Sequence, residues 1–181
     1  MNLAELYQQA VKHKSEHKCS AVPYEHAEKL VQAIEQFQPT SILEIGTGIG
    51  YSAAVMALAC FELGLNSEID TLEKDREHAL LAEEFIKNNQ ADHLVKILNV
   101  VSEEFLPKLQ KNYDFIFFDG FQIHYEFLPQ YERLLKKDGI LFLANKHLKS
   151  KTSERFFYDL EHDGKWEILE HFSDTTIAKR I

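Results

Sequence analysis

Apolar residues in the first 38 positions fall at helical intervals. Leu3, Leu6, Tyr7, Ala10 and Val11 make one stripe; Ala27, Leu30, Val31, Ile34 and Phe37 make a second. Pro23 suits the start of the second helix and Pro39 its end. From Ser41 the rhythm changes to short apolar runs that read as strands: Ser41–Ile45, Glu68–Leu72, Leu94–Val101, Tyr113–Phe118 and Ile140–Ala144. Helical segments lie between them. Tyr51–Leu63 is apolar and stops at Gly64. Asp75 caps a helix that runs to Asn88, with Ala79, Ala82, Phe85 and Ile86 on one face. A short helix opens at Ser102, and longer ones are expected at His124–Lys136 and Ser153–His162. Trp166–Phe172 and Thr175–Arg180 read as a hairpin around Ser173-Asp174.

Alternating strands and helices, with several strands apolar throughout, point to a parallel sheet covered on both faces. The expected fold is α/β: a doubly wound, mostly parallel sheet of about seven strands, closed by a C-terminal antiparallel hairpin. Residues 1–38 form a helical extension and residues 41–181 the core sheet of one domain. Ligands of such sheets bind at the carboxyl ends of the strands.

Composition narrows the class. The chain has 181 residues, 45% hydrophobic and 27% charged, which is ordinary for one globular domain and excludes a disordered chain. The longest apolar run, Ala53 to Phe61, is half the length of a membrane span, so no membrane association is expected. The first residues, with Glu5, Lys12 and Lys14, do not read as a signal peptide. Cys19 and Cys60 offer neither a disulfide framework nor a zinc motif, which fits a reduced, cytoplasmic protein. A net charge of -9 argues against a general nucleic-acid binder.

The most specific motif is Glu44-Ile45-Gly46-Thr47-Gly48-Ile49-Gly50, which follows a strand and opens a helix. Gly46 permits the turn, and Gly48 lets the backbone approach a ligand. Tyr51 occupies the third glycine position of the dinucleotide fingerprint, and no lysine completes a Walker loop. Glu73 ends the second strand, 23 positions after Gly50, where a carboxylate can accept both hydroxyls of a ribose. Glu44 within the loop would repel a pyrophosphate but suits a cationic amino-acid tail. Charge therefore favours S-adenosylmethionine (SAM) over NAD.

The run from Ser41 to Ala53 resembles motif I of class I SAM-dependent O-methyltransferases, of the catechol and caffeoyl-CoA type with bacterial relatives that methylate hydroxyuridine in tRNA. Tyr113–Asp119 resembles that family's fourth-strand motif, and Asp174–Lys179 its last strand. The resemblance implies that Glu44, Gly46, Thr47, Gly48 and Gly50 hold the methionine part, with Ser52 close by. It implies that Glu73 binds the ribose and that Ser102, Asp119 and Gly120 line the adenine and sulfonium side. It also implies a homodimer.

The catalytic pattern departs from that family. Members bind a divalent cation through an aspartate after strand four and an Asp-Asn pair after strand five. Asp119 keeps the first, but the pair reads Ala144-Asn145, and Gln122 replaces a lysine. No metal ligand set is therefore assigned, and a divalent metal is doubtful. A histidine is the natural replacement for the metal's activation of a hydroxyl. His147, after strand five, is the first candidate, and His124, after strand four, the second; Asp119 completes the catalytic set.

The leading function is SAM-dependent O-methyl transfer to a small molecule. Basic runs at Lys12, His13, Lys14, His17, Lys18 and at Lys146, His147, Lys149, Lys151, Arg155 keep a second open: methylation of a tRNA loop. A third is SAM binding with weak or no catalysis, suggested by Ala144 and Gln122.

Overall fold

A computed structural model of the chain describes residues 2–146 and 150–181. Its elements run α1 (Leu3–Glu16), α2 (Ala27–Phe37), β1 (Ser41–Ile45), α3 (Tyr51–Glu62), β2 (Glu68–Glu73), α4 (Arg76–Asn88), β3 (Val95–Asn99), α5 (Ser102–Phe105), β4 (Tyr113–Phe118), α6 (Phe127–Leu134), β5 (Leu135–Leu143), α7 (Lys151–His162), β6 (Trp166–Phe172) and β7 (Thr175–Arg180). The seven strands form one sheet in the order β3-β2-β1-β4-β5-β7-β6. Strands β1 to β5 are parallel, and β7 enters antiparallel between β5 and β6. The chain order reverses between β1 and β4, which is where open α/β sheets hold ligands.

The apolar strands resolve into two faces with the two-residue period of a pleat. Ile42, Phe115, Phe117, Phe142 and Ile177 pack with α1, α2, α3 and α4 on one side. Leu43, Ile116, Phe118, Leu141 and Ala178 pack with α6 and α7 on the other. Helix α3 is hydrophobic nearly all round because it is buried by the sheet, α1, α2 and α4; Cys60 on it is inaccessible, while Cys19 is half-buried.

Several boundaries differ from the sequence expectation, among them the starts of β3 and α6, and three of the differences have a local reason. Helix α2 starts at Ala27, not at Pro23. Tyr24 is held outside the helix by a 3.1 Å hydrogen bond to the Thr175 hydroxyl and by packing on Phe117 and Phe142. Strand β5 begins at Leu135, five residues before Ile140, and α6 is shortened to match. Leu135 pairs with Tyr113, and the ladder then bulges where Asp138 adopts φ 63°. The polar residues Lys136–Gly139, which separate the expected helix from the expected strand, carry the bulge. Helix α7 starts earlier, at Lys151: Ser150 is the cap, and Ser153 returns its hydroxyl to the Ser150 N–H at 2.8 Å in a reciprocal pair.

Candidate functional site

The carboxyl ends of β1, β2, β4 and β5 surround a cavity of about 700 Å³. The glycine loop forms its floor. Gly46, Gly48 and Gly50 all adopt positive φ, at 95°, 54° and 85°. A Cβ on Gly46 would sit 2.8 Å from the backbone oxygen of Asp119, so only glycine lets the ends of β1 and β4 approach. Gly50 is packed in the same way against the Ala82 backbone, which seats the start of α3 on α4.

Glu73 fastens this loop. Its Oε2 accepts the Gly48 N–H at 2.8 Å, and its Oε1 accepts the Asp75 N–H at 2.9 Å. One carboxylate thus ties the β1 loop to the start of α4, which Asp75 caps through the Glu77 and His78 amides. Each Glu73 oxygen retains a second lone pair for a ligand hydroxyl.

Glu44 lies beneath the loop and does not line the cavity. It is fully buried, and its two oxygens accept the hydroxyls of Ser52 and Thr71. Thr71 has one proton to give, so the Thr47 hydroxyl donates to Thr71. The relay Thr47–Thr71–Glu44 leaves the Thr47 oxygen as an acceptor on the cavity wall. Burial pushes the Glu44 carboxyl up to about 7, against the pull of the two hydroxyls and aided by the charge of Glu73.

Asp119 ends β4 at the centre of the site. Burial, then the charge of Glu44, raise its carboxyl well above the usual carboxylate range; Asn145 opposes the rise and Asp174 adds to it. The Asn145 amide donates to Asp119 Oδ1 at 2.9 Å and to the Gly120 carbonyl at 3.1 Å, locking the β4 and β5 loops together.

Of the residues expected from sequence, Gly46, Thr47, Gly48, Ser52, Glu73, Ser102, Asp119, Gly120 and His124 line one cavity. Glu44 and Gly50 support the loop from behind. His124 Nε2 stands 3.9 Å from Glu103, and its ring meets Phe127 edge-on. His147 lies outside the described residues. The segment Ser20–His26, between α1 and α2, forms a wall that sequence reading missed, together with His78 and Asp174. No periodicity marks that segment; its one signal is the gap between two helical stripes. Val22 and Phe121 stand exposed at the cavity rim.

The described cations of the two basic runs do not line the cavity. Lys146 pairs with Glu161 and lies over the Phe157 ring, while Arg155 lies over Tyr125 and pairs with Asp159. Among the described residues no helix is long and apolar enough to cross a membrane.

A family model described as O-methyltransferase matches residues 1–159. Among curated proteins, a transmembrane O-methyltransferase of Propithecus coquereli is 34% identical over 85 residues, covering 46% of this chain and 30% of that protein. Catechol O-methyltransferase B of Danio rerio is 26% identical over 117 residues, covering 62% of this chain and 42% of that one. The chain thus spans less than half the length of these two relatives. Among solved structures, an O-methyltransferase of Streptomyces achromogenes involved in tomaymycin synthesis, in complex with SAM, superposes with a TM-score of 0.78 at 20% identity, covering 98% of this chain and 88% of that one. An O-methyltransferase of Bacillus cereus in complex with S-adenosylhomocysteine gives 0.78 at 20% identity, covering 99% and 90%.

Proposed function

Because the chain belongs to the O-methyltransferase family, we propose that its cavity holds SAM and that it transfers a methyl group to a hydroxyl of a small molecule without a divalent metal. The observation that carries this reading is the Glu73 carboxylate on the cavity wall, fixed by the Gly48 amide and still able to accept ligand hydroxyls. SAM-bound and S-adenosylhomocysteine-bound structures of the same fold support it.

SAM, when bound, supplies an electrophilic methyl group on a sulfonium. The chain's own residues bind, orient and deprotonate. Glu73 accepts the ribose hydroxyls, and the Thr47 oxygen faces the cofactor's ammonium end. Asp119, held by Asn145, positions the acceptor hydroxyl. His124 takes its proton, an imidazole being the base suited to neutral pH. The apolar rim of Val22 and Phe121 suits a ring-bearing acceptor, and the absence of the described basic-run cations from the cavity lining favours a small molecule over RNA.

The residues do not fit the metal site that the resemblance implies. Asp119 supplies one carboxylate, Ala144 is buried and apolar where the second is expected, and Asn145 turns toward Asp119 its NH₂, which cannot ligate a hard cation. No step is therefore routed through a metal.

The test is methyl transfer from labelled SAM to a panel of catechols and related phenols after exhaustive EDTA treatment. Turnover should persist, and His124→Ala should slow it by about 10²–10⁴. His147→Ala is run alongside; loss in that variant with His124→Ala unaffected would move the base to His147. Activity that vanishes with EDTA and returns with magnesium would overturn the metal-free reading.

A further inference from the structure

We propose that His13, His17 and Glu84 bind a first-row transition-metal ion, with zinc the best match, and so clip α1 to α4. The site stands apart from the cavity and from the chemistry proposed for it.

Leu6, Ala10 and His13 form one buried face of α1, so an imidazole occupies a position that the stripe would give to an apolar side chain. His17 follows four residues later, which brings the two imidazoles onto one face. Their ring centroids are 4.7 Å apart. Glu84 reaches them from α4. One ligand atom from each of the three side chains lies within 4.8 Å of the other two.

The surroundings prepare the buried imidazole. His13 Nε2 is 3.0 Å from the Leu81 carbonyl. The tautomer that donates there leaves Nδ1 with its lone pair, and a carbonyl on the second ring nitrogen is the usual orienting partner of a metal-bound histidine. Phe85 packs on the same ring at 5.6 Å and limits its rotation.

Two nitrogens and one carboxylate select zinc or a neighbouring transition metal over magnesium or calcium, which prefer all-oxygen sites. A tetrahedral zinc with bonds of about 2.0–2.2 Å needs its ligands roughly 3.4 Å apart. His17 and Glu84 are both exposed and can close that gap by side-chain rotation. Water would complete the fourth position. Lys14 in the last turn of α1 and Lys18 in the turn after it oppose a cation, Lys12 is tied to Glu16 at 3.7 Å, and Glu84 brings the compensating charge. Helix α1 leads within a few residues into the Ser20–His26 wall of the cavity. A bound ion would therefore fix the base of that wall.

The experiment is calorimetric titration of the EDTA-treated, dialysed full chain with zinc chloride, with thermal unfolding in parallel. One zinc should bind per chain. At a hundredfold excess over Kd it should raise Tm by about 5–10 °C. His17→Ala and Glu84→Ala change exposed side chains and leave the fold intact. Each should weaken binding at least tenfold, roughly the lower bound for losing even an outer partner of a metal ligand, and at the same zinc concentration should cut the Tm rise to about half or less. His162→Ala, on α7, should behave as the parent does. No zinc binding by the parent, or binding unchanged in both His17→Ala and Glu84→Ala, would overturn the proposal.

Discussion

Glu44 is a carboxylate sealed under the glycine loop, and its removal makes a quantitative prediction. The perturbation is Glu44→Gln. The amide keeps the shape and lets its oxygen accept one hydroxyl while its NH₂ donates to the other, which turns to accept. In the parent, burial raises this carboxyl from 4.5 to about 7. Between those values the folded chain holds a proton that the unfolded chain has released. The folded state binds more protons there, so stability falls as pH rises through the window and levels off above it. At about 1.4 kcal/mol per pH unit, the loss attributable to this one group is about 3 kcal/mol. Asp119 is raised in part by the Glu44 charge, so the substitution relieves that group in the same direction. The assay is urea unfolding at half-unit steps from pH 5 to 8, followed by the fluorescence of the buried Trp166. The stability of Glu44→Gln relative to the parent should rise by about 3 kcal/mol across that range. Parallel pH curves for the two proteins would refute the reasoning, because they would mean that Glu44 is ionised in the folded chain throughout.

Further predictions concern the loop, the thiols and the loop junction. Glu73→Ala should weaken SAM binding at least tenfold, since it removes charged acceptors worth about 1.5–3 kcal/mol each; Glu73→Gln should fall between variant and parent, and unchanged affinity in a calorimetric titration would remove Glu73 from the site. Cys19 should react with a thiol reagent far faster than Cys60, which is inaccessible and whose thiol burial pushes up. Equal, fast labelling of both in the native protein would contradict the packing of α3. Asn145→Ala should raise the SAM Kd and quicken proteolysis near Gly120, because it releases the bond between the β4 and β5 loops; a protease pattern identical to the parent's would contradict that role.

The parts of the molecule that were legible in sequence are those whose signal is local. Apolar runs of strand length revealed the sheet, and the period-two packing of Phe115 and Phe117 against Ile116 and Phe118 explains why those runs show no alternation: both faces are covered. The glycine loop was legible because its turn demands glycine at particular spacings, and Glu73 because it closes the next strand beside that loop. What sequence could not show depends on contacts between distant segments. Pro23 is a good helix start by propensity, but the Tyr24–Thr175 bond, spanning 151 positions, holds the chain out of the helix. Ser20–His26 carries no pattern of its own and becomes a cavity wall only because β7 and the glycine loop lie beneath it. Glu44 reads as a ligand-facing acid in the motif, yet the hydroxyls of Ser52 and Thr71 turn it inward. His147 lies outside the described residues, so its expected role rests on sequence.

The most direct test of the proposed function is a pair of calorimetric titrations of the purified chain, one with SAM and one with NAD. The Glu73 carboxylate stands on the cavity wall, and a negative charge there suits a sulfonium and an ammonium better than a pyrophosphate. One SAM should bind per chain, with NAD at least tenfold weaker. Equal affinity for NAD, or no measurable heat with SAM, would contradict the account.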